Sequence, residues 1–254
     1  MRGYKRSFGE WKTIIDKFFS DSNRFGFKLR LTGGLAIRLQ CSDFENLFVS
    51  LKREYEDIDF VCQSMDTIKI RNYFQNLDFQ FNKEVFTYSE GKRMIFTNTR
   101  QSLKVDVFVD VLDFSHFIDL TDRFKIDSRT ISISDLLLSK MQIVKISQKD
   151  FIDIAALLVE HSFSDSEQPD KINIKYISAL LADDWGFFHT FEKNLNKLEN
   201  YLIPEIYNGA IKNELHLKII TLKQRVEATP KSLKWKMRAK IGESLNWYKE
   251  VSEI

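Results

Sequence analysis

Two aspartates stand two residues apart in Glu56-Asp57-Ile58-Asp59-Phe60. In a strand, such residues project to the same side, so both carboxylates stand together while Ile58 and Phe60 enter the core. Like charges side by side disfavour a strand. A divalent cation removes that repulsion, and hard carboxylate oxygens suit Mg²⁺; an exposed acidic strand edge would carry the same pattern. A third carboxylate, Asp106, lies in Leu103-Lys104-Val105-Asp106-Val107-Phe108-Val109-Asp110-Val111. A charge inside so apolar a strand needs a partner or a metal. Asp110 shares its face and reads either as a hydrogen-bonded structural residue or as a position beyond the strand end. Upstream, Gly33-Gly34 ends a strand and opens a helix. A backbone without Cβ can approach a phosphate closely there, with helix N-terminal N–H groups aimed at it, although a plain turn uses the same dipeptide.

The elements that must position these residues follow from periodicity. Trp11, Ile14, Ile15, Phe18 and Phe19 fall on one helical face. Phe27 to Leu31 alternates as a strand, and Leu35 to Gln40 begins a helix. From Asp57 to Asp113 the pattern is of period 2, with strands at 57–61, 79–81, 85–88, 94–97 and 103–111 and a helix near Thr67–Asn76. Ser134 reads as the N-cap of a helix through Ile146, and Gln148 to Glu160 as the next helix. The Ser/Asp-rich stretch 161–170 reads as a linker, and 171–254 as helices broken near Asp184, Pro204 and Pro230. The expected architecture is α/β (α+β): a mixed sheet flanked by helices over residues 1–160, then a helical C-terminal domain over 171–254.

With 43% hydrophobic residues, 22 Phe, 9 Gly and 3 Pro, the composition excludes disordered and collagen-like chains. Cys41 and Cys62 are too few for a disulfide framework. The four histidines have no metal-ligand spacing. No apolar run approaches the ~20 residues of a membrane span, and no apolar stretch follows the basic N-terminus as in a secretory signal. A cytoplasmic protein with no membrane partner is expected. The net charge of +2 conceals a division: residues 1–30 carry +5, residues 41–160 carry −5 and residues 211–240 carry +7. The last stretch places Lys231, Lys234, Lys236, Arg238 and Lys240 around Trp235. That basic arm could hold an RNA backbone or be a solvated helix face.

The combination of Gly-Gly, Asp-x-Asp and a later strand aspartate resembles the nucleotidyltransferase superfamily that includes DNA polymerase β. Downstream, Ser134-Asp135-Leu136-Leu137-Leu138-Ser139-Lys140-Met141-Gln142 and Lys149-Asp150-Phe151-Ile152-Asp153-Ile154 are similar to the helix pair of AbiEii-type toxin nucleotidyltransferases. The resemblance covers residues 31–160. Arg53 has a counterpart in that group, Tyr55 stands where a small hydroxyl residue is usual, and the long interval after Gly34 marks 41–52 as an insertion at the site mouth.

The resemblance implies transfer of a nucleoside monophosphate from an NTP to an acceptor, tRNA or a protein, and an antitoxin protein as a possible partner. It implies that Asp57 and Asp59 bind one Mg²⁺ and, with Asp106, a second, the pair acting on both oxygens of an in-line displacement. Gly33, Gly34, Arg38, Lys140 and Asp150 would contact the nucleotide and its phosphates, Lys140 as a point charge. Asp153 would line the site beside Asp150. For these residues the plainer roles are an exposed Arg38, a solvated Lys140, a helix-capping Asp150 and a surface Asp153. Two other functions remain open at this stage: modification of a small antibiotic hydroxyl, and a binding module of the same fold without catalysis.

Overall fold

The computed structural model describes residues 5–201 and 209–250. Helix α1 (Phe8–Phe25) opens in a capping box, the Ser7 side chain and Glu10 exchanging bonds, and closes at Gly26 in the left-handed region, φ 70°. It leads into β1 (Arg30–Thr32), α2 (Gly33–Gln40) and α3 (Glu45–Ser50). Next come β2 (Ile58–Cys62), α4 (Thr67–Asn76), β3 (Gln80–Phe81), α5 (Lys83–Tyr88), β4 (Arg93–Asn98) and β5 (Leu103–Val109). A hairpin of β6 (Val111–Asp113) and β7 (Phe117–Asp119) precedes α6 (Ile133–Met141) and α7 (Gln148–Glu160). Short β8 (Phe163–Ser164) and β9 (Ile172–Asn173) pair in parallel before α8 (Ile174–Asp183), α9 (Trp185–Tyr201), α10 (Gly209–Ala228) and α11 (Leu233–Ile241).

The fold is mixed α/β, as expected, around a five-stranded mixed sheet in the order β1-β2-β5-β4-β3. Only β2 and β5 run parallel; the other neighbours are antiparallel. One sheet face carries Phe60 and Phe96 into an aromatic core. Phe74 of α4 stacks on Phe96 at 4.6 Å, and Phe18 of α1 meets Phe60 and Phe74 edge-on at 6.2 and 5.3 Å. These offset and edge-on arrangements suit the ring quadrupole, and fully burying each ring contributes about 1.5–3 kcal/mol. The other face carries Asp59 and Asp106. Helices α2, α6 and α7 pack on one another, and α10 lies against α7 and α8. Buried apolar side chains form one cluster from Trp11 to Val226, and 161–170 contributes β8 to it rather than bare linker.

Local departures from the expected elements have local causes. Residues 85–88 belong to a helix and not a strand. Asn82 caps it by accepting from Val85 N at 3.0 Å, and among residues 85–88 only Val85 is fully buried. The N-cap of α6 is Ser132, which accepts from Asp135 N; Ser134 instead accepts from Asn173 N at 2.7 Å. That helix stops at Met141, short of Ile146, because the Asn194 amide takes the carbonyls of Met141 and Ile143. Residues 41–52 form α3 and send Phe44 and Phe48 into the core, lining no cavity beside the aspartates. Breaks fall at Asp184 and before Leu233 as expected; Pro204 lies outside the described residues. Both cysteines are free and buried. Among the described residues, no helix is long and apolar enough to cross a membrane.

After α11 a 3₁₀ turn (Gly242–Ser244) leads the chain back across the fold. Arg238 holds the carbonyl of Leu245 at 2.7 Å, and Trp247 Nε1 donates to Thr190 Oγ1 at 3.1 Å. The same hydroxyl lies 2.8 Å from Nε2 of His116, whose ring stacks on Phe187 at 4.9 Å. Burial lowers the His116 pKa from 6.5 to about 4. The unfolded chain therefore binds the proton first, so stability is complete above pH 6.5 and is lost as pH falls from 6.5 toward about 4. Denaturant titrations across that window will show the wild type losing up to roughly 3 kcal/mol more than His116→Phe; parallel curves for the two would refute this.

Candidate functional site

Register builds the carboxylate cluster. Asp59 pairs across to Asp106 on the parallel strand and to Thr32 on the antiparallel one, so the Gly33 turn, Asp59 and Asp106 lie side by side on one sheet face. Gly33 has φ +69°, and a Cβ there would sit 2.2 Å from Asp59 Oδ2. Glycine is therefore required twice over, by its backbone angle and by the aspartate beside it.

The three carboxylates are balanced unequally. Asp106 is buried and held by Arg93 of β4, whose Nε lies 3.1 and 3.0 Å from its two oxygens while Nη2 also donates. Burial nevertheless pushes the Asp106 carboxyl upward. Asp59 is pushed up well above the ordinary carboxylate range, by burial first and then by the charges of Asp57 and Asp106, with Lys140 and Arg93 opposing only in part. No hydrogen bond or ion pair engages the Asp57 or Asp59 carboxylate among the described residues. Their hard, unpartnered oxygens fit one divalent cation. Asp106 does not stand free to complete a second, since Arg93 holds it, and among the described residues no three acidic, histidine or cysteine side chains are arranged to hold a metal. Asp110 lies past the end of β5 with φ +60°, accepting from Ser64 N at 3.1 Å, a structural position.

Beside the cluster lies a second buried network. Lys140 Nζ is 3.0 Å from both Asp150 and Asp153, and Arg53 grips Asp153 with two bonds of 2.9 and 2.8 Å. Burial opposes the Lys140 charge, but Asp153 and Asp150 outweigh it and raise the pKa. Burial likewise works against the Asp150 carboxylate, yet Lys140 and the Ser147 bonds hold it below its usual range. Asp150 also closes the capping box of α7 with Ser147. A Cβ on Gly34 would fall 2.2 Å from Arg53 Nη2, so the second glycine makes room for this network as the first does for Asp59.

The structure therefore gathers Gly33, Gly34, Asp57, Asp59, Lys140 and Asp150 around two adjoining cavities. Arg38 lines neither. Its guanidinium pairs with Glu45 and lies 4.4 Å above the Phe8 ring, a buried structural position. Asp153 is fully buried rather than a surface charge. Sequence reading passed over Arg93, although a charge opening the apolar run Met94-Ile95-Phe96 was a usable signal for a counter-ion. It also passed over Tyr248, which lines one of the two cavities and for which no local signal exists.

An acid whose pKa is higher folded than unfolded destabilises the fold only where it must ionise. For Asp59 the penalty is absent below a pH of about 4 and grows until the shifted value is passed. In chelator at neutral pH, Asp59→Asn will stabilise the protein by roughly 1–3 kcal/mol. The gain will vanish near pH 4, and added Mg²⁺ will stabilise the wild type alone. A variant no more stable than the wild type in chelator would defeat the assignment.

Comparison with protein-family models, curated proteins and solved structures gives no match.

Proposed function

We propose that the protein is a divalent-cation-dependent nucleotidyltransferase of the polymerase-β type, acting on an NTP and a macromolecular acceptor, tRNA or a protein, in the manner of AbiEii-type toxins. The observation that carries this reading is Asp59: a desolvated, unpartnered carboxylate beside Asp57 and Asp106, pressed against the glycine that opens α2. A charge left so unfavourable suits a site completed by a cation-bearing ligand. A bound Mg²⁺ would supply the positive charge that draws triphosphate oxygens to the aspartates and polarises the phosphorus under attack.

The chain's own residues would do the rest. The N–H groups opening α2 at Gly33 and Gly34 would be available to phosphate oxygens. Lys140 has three donors, two of them directed at Asp150 and Asp153, which leaves one for a phosphate oxygen and fixes where it points. Arg53, anchored on Asp153, and Lys149 add positive charge around the smaller cavity. Arg93 keeps Asp106 in place, and Asp106 would orient the attacking hydroxyl.

Of the basic C-terminal side chains, Lys231 and Arg238 donate to backbone carbonyls within the fold, while Lys234, Lys236 and Lys240 remain exposed for a polyanionic acceptor. An antitoxin partner and a cytoplasmic setting belong to the same proposal. The engagement of Asp106 by Arg93 favours one second reading, a module that binds nucleotide without turning it over.

Incubation with each NTP labelled at the α-phosphate, Mg²⁺ and total RNA separates the two. Label will pass to RNA or to protein with release of pyrophosphate, and Asp57→Ala or Asp106→Ala will cut the rate by about a hundredfold or more. Nucleotide binding without release of pyrophosphate from any NTP would replace the enzyme with the binding module.

A further inference from the structure

We infer that the larger of the two cavities is a site for the planar base of the nucleotide, with Tyr248 of the C-terminal segment as one wall. This rests on the nucleotidyl-transfer reading and extends it to the part of the substrate that no aspartate touches.

The two cavities meet at Asp59 and Lys140 and differ in kind. The smaller, about 190 Å³, is lined by charged and polar groups including Arg53, Asp57, Lys149 and Asp150. The larger, about 450 Å³, combines apolar and aromatic side chains, Phe108, Leu112, Phe114, Ile143, Val144 and Tyr248, with the charged Lys145, Lys249 and Glu250. A nucleoside triphosphate has the same two parts, a polyanion and an apolar-faced ring joined through a sugar. The smaller cavity falls below the ~300–1,000 Å³ usual for organic ligands, whereas the larger falls within it. Of these two, only the larger can take an aromatic ring if the phosphates lie at Asp57, Asp59 and Lys140. Three aromatic side chains there offer stacking and edge contacts to any base. Ser115 and Ser139 add neutral polar groups that can orient a ring.

The wall is built into the fold. Lys249 N donates to Ser115 O at 3.0 Å, and Lys249 Nζ reaches Asp113 at 2.9 Å, fixing the segment to the β6–β7 hairpin. Trp247, the residue before Tyr248, is tied to α9 through Thr190. A Cβ at Gly186 would come within 2.4 Å of the Trp247 carbonyl, so the first turn of α9 is shaped to let the segment pass. Tyr248 is thus held at the cavity from both sides by bonds made through its neighbours.

Calorimetric titration with each NTP and with inorganic tripolyphosphate, in Mg²⁺, tests the assignment. The quantity read is the ratio of NTP to tripolyphosphate affinity. The wild type will prefer NTP; Tyr248→Ala will lower the ratio about tenfold or more, and Tyr248→Phe, which keeps the ring, will restore it. Val144→Trp, at a half-buried position, fills the cavity and will bring the ratio close to one. Thermal unfolding confirms that each variant is folded. Equal affinity for NTP and tripolyphosphate in the wild type, or a ratio indifferent to Tyr248→Ala, overturns the base site while leaving the phosphate site intact. Failure of both ligands to bind overturns the nucleotidyl-transfer reading and this one with it.

Discussion

The repulsion among Asp57, Asp59 and Asp106 is the constraint around which the rest of the molecule is arranged. Register partners on neighbouring strands lie ~4.8 Å apart, where two unit charges at an effective dielectric near 20 repel by about 3 kcal/mol. That is a large share of a domain's net stability of ~5–15 kcal/mol. Moving Asp59 away would relieve it, but the strand pairings on both sides and the apolar residues Ile58 and Phe60 fix its direction. A one-residue slip would turn both ring and carboxylate to the wrong face. The strain is therefore not relaxed by geometry and is instead offset in part by Arg93 and Lys140.

Two glycines make that offset possible for separate reasons. Gly33 yields its Cβ volume to Asp59 and Gly34 yields its own to Arg53. Each side chain they admit belongs to a different ion network, one acidic and incompletely compensated, the other closed. In the closed network, Arg53, Asp153, Lys140 and Asp150 satisfy one another, which is the condition for burying charge without a heavy penalty. Lys140 is the member common to both environments. Its position is set by α7 carboxylates and its field is felt at Asp59.

Much of this was legible in sequence where the relevant contacts are local or follow strand parity. Asp57-x-Asp59, the lone Asp106 and the adjoining glycines declare themselves because a charge in an apolar run has few explanations. The helix at 67–76 and the start of α7 could be read from periodicity and caps. Val85 to Tyr88 could not, because four residues fit either period and the decision lay with the Asn82 side chain. Arg38 was legible as a charge near the glycines but not as the partner of Glu45, since α3 brings that residue back from what looked like an insertion. Asp153 could be placed on a helix face, but its complete burial depends on Arg53, a hundred positions upstream. The wall at Tyr248 had no signature because it is made by chain return, and its anchors, Thr190, Ser115 and Asp113, are individually ordinary.

The overall charge is near neutrality for a structural reason as well as an arithmetic one. The acidic middle of the chain is neutralised chiefly by cations from within that middle: Arg53, Arg93, Arg123 and Lys140 each pair with a buried aspartate of residues 106–153. Basic side chains of the flanks are thereby left largely out of the site's balance. Several are used locally, as with Arg225 on Asp165 and Lys223 on Glu199, while Lys236 and Lys240 are exposed. A field centred on the flanks and a deficit of positive charge centred on Asp59 are then independent features of one surface. Long-range attraction of a polyanion would come from the first and local capture of a cation from the second. The proposed function would draw on both, and would need them not to cancel.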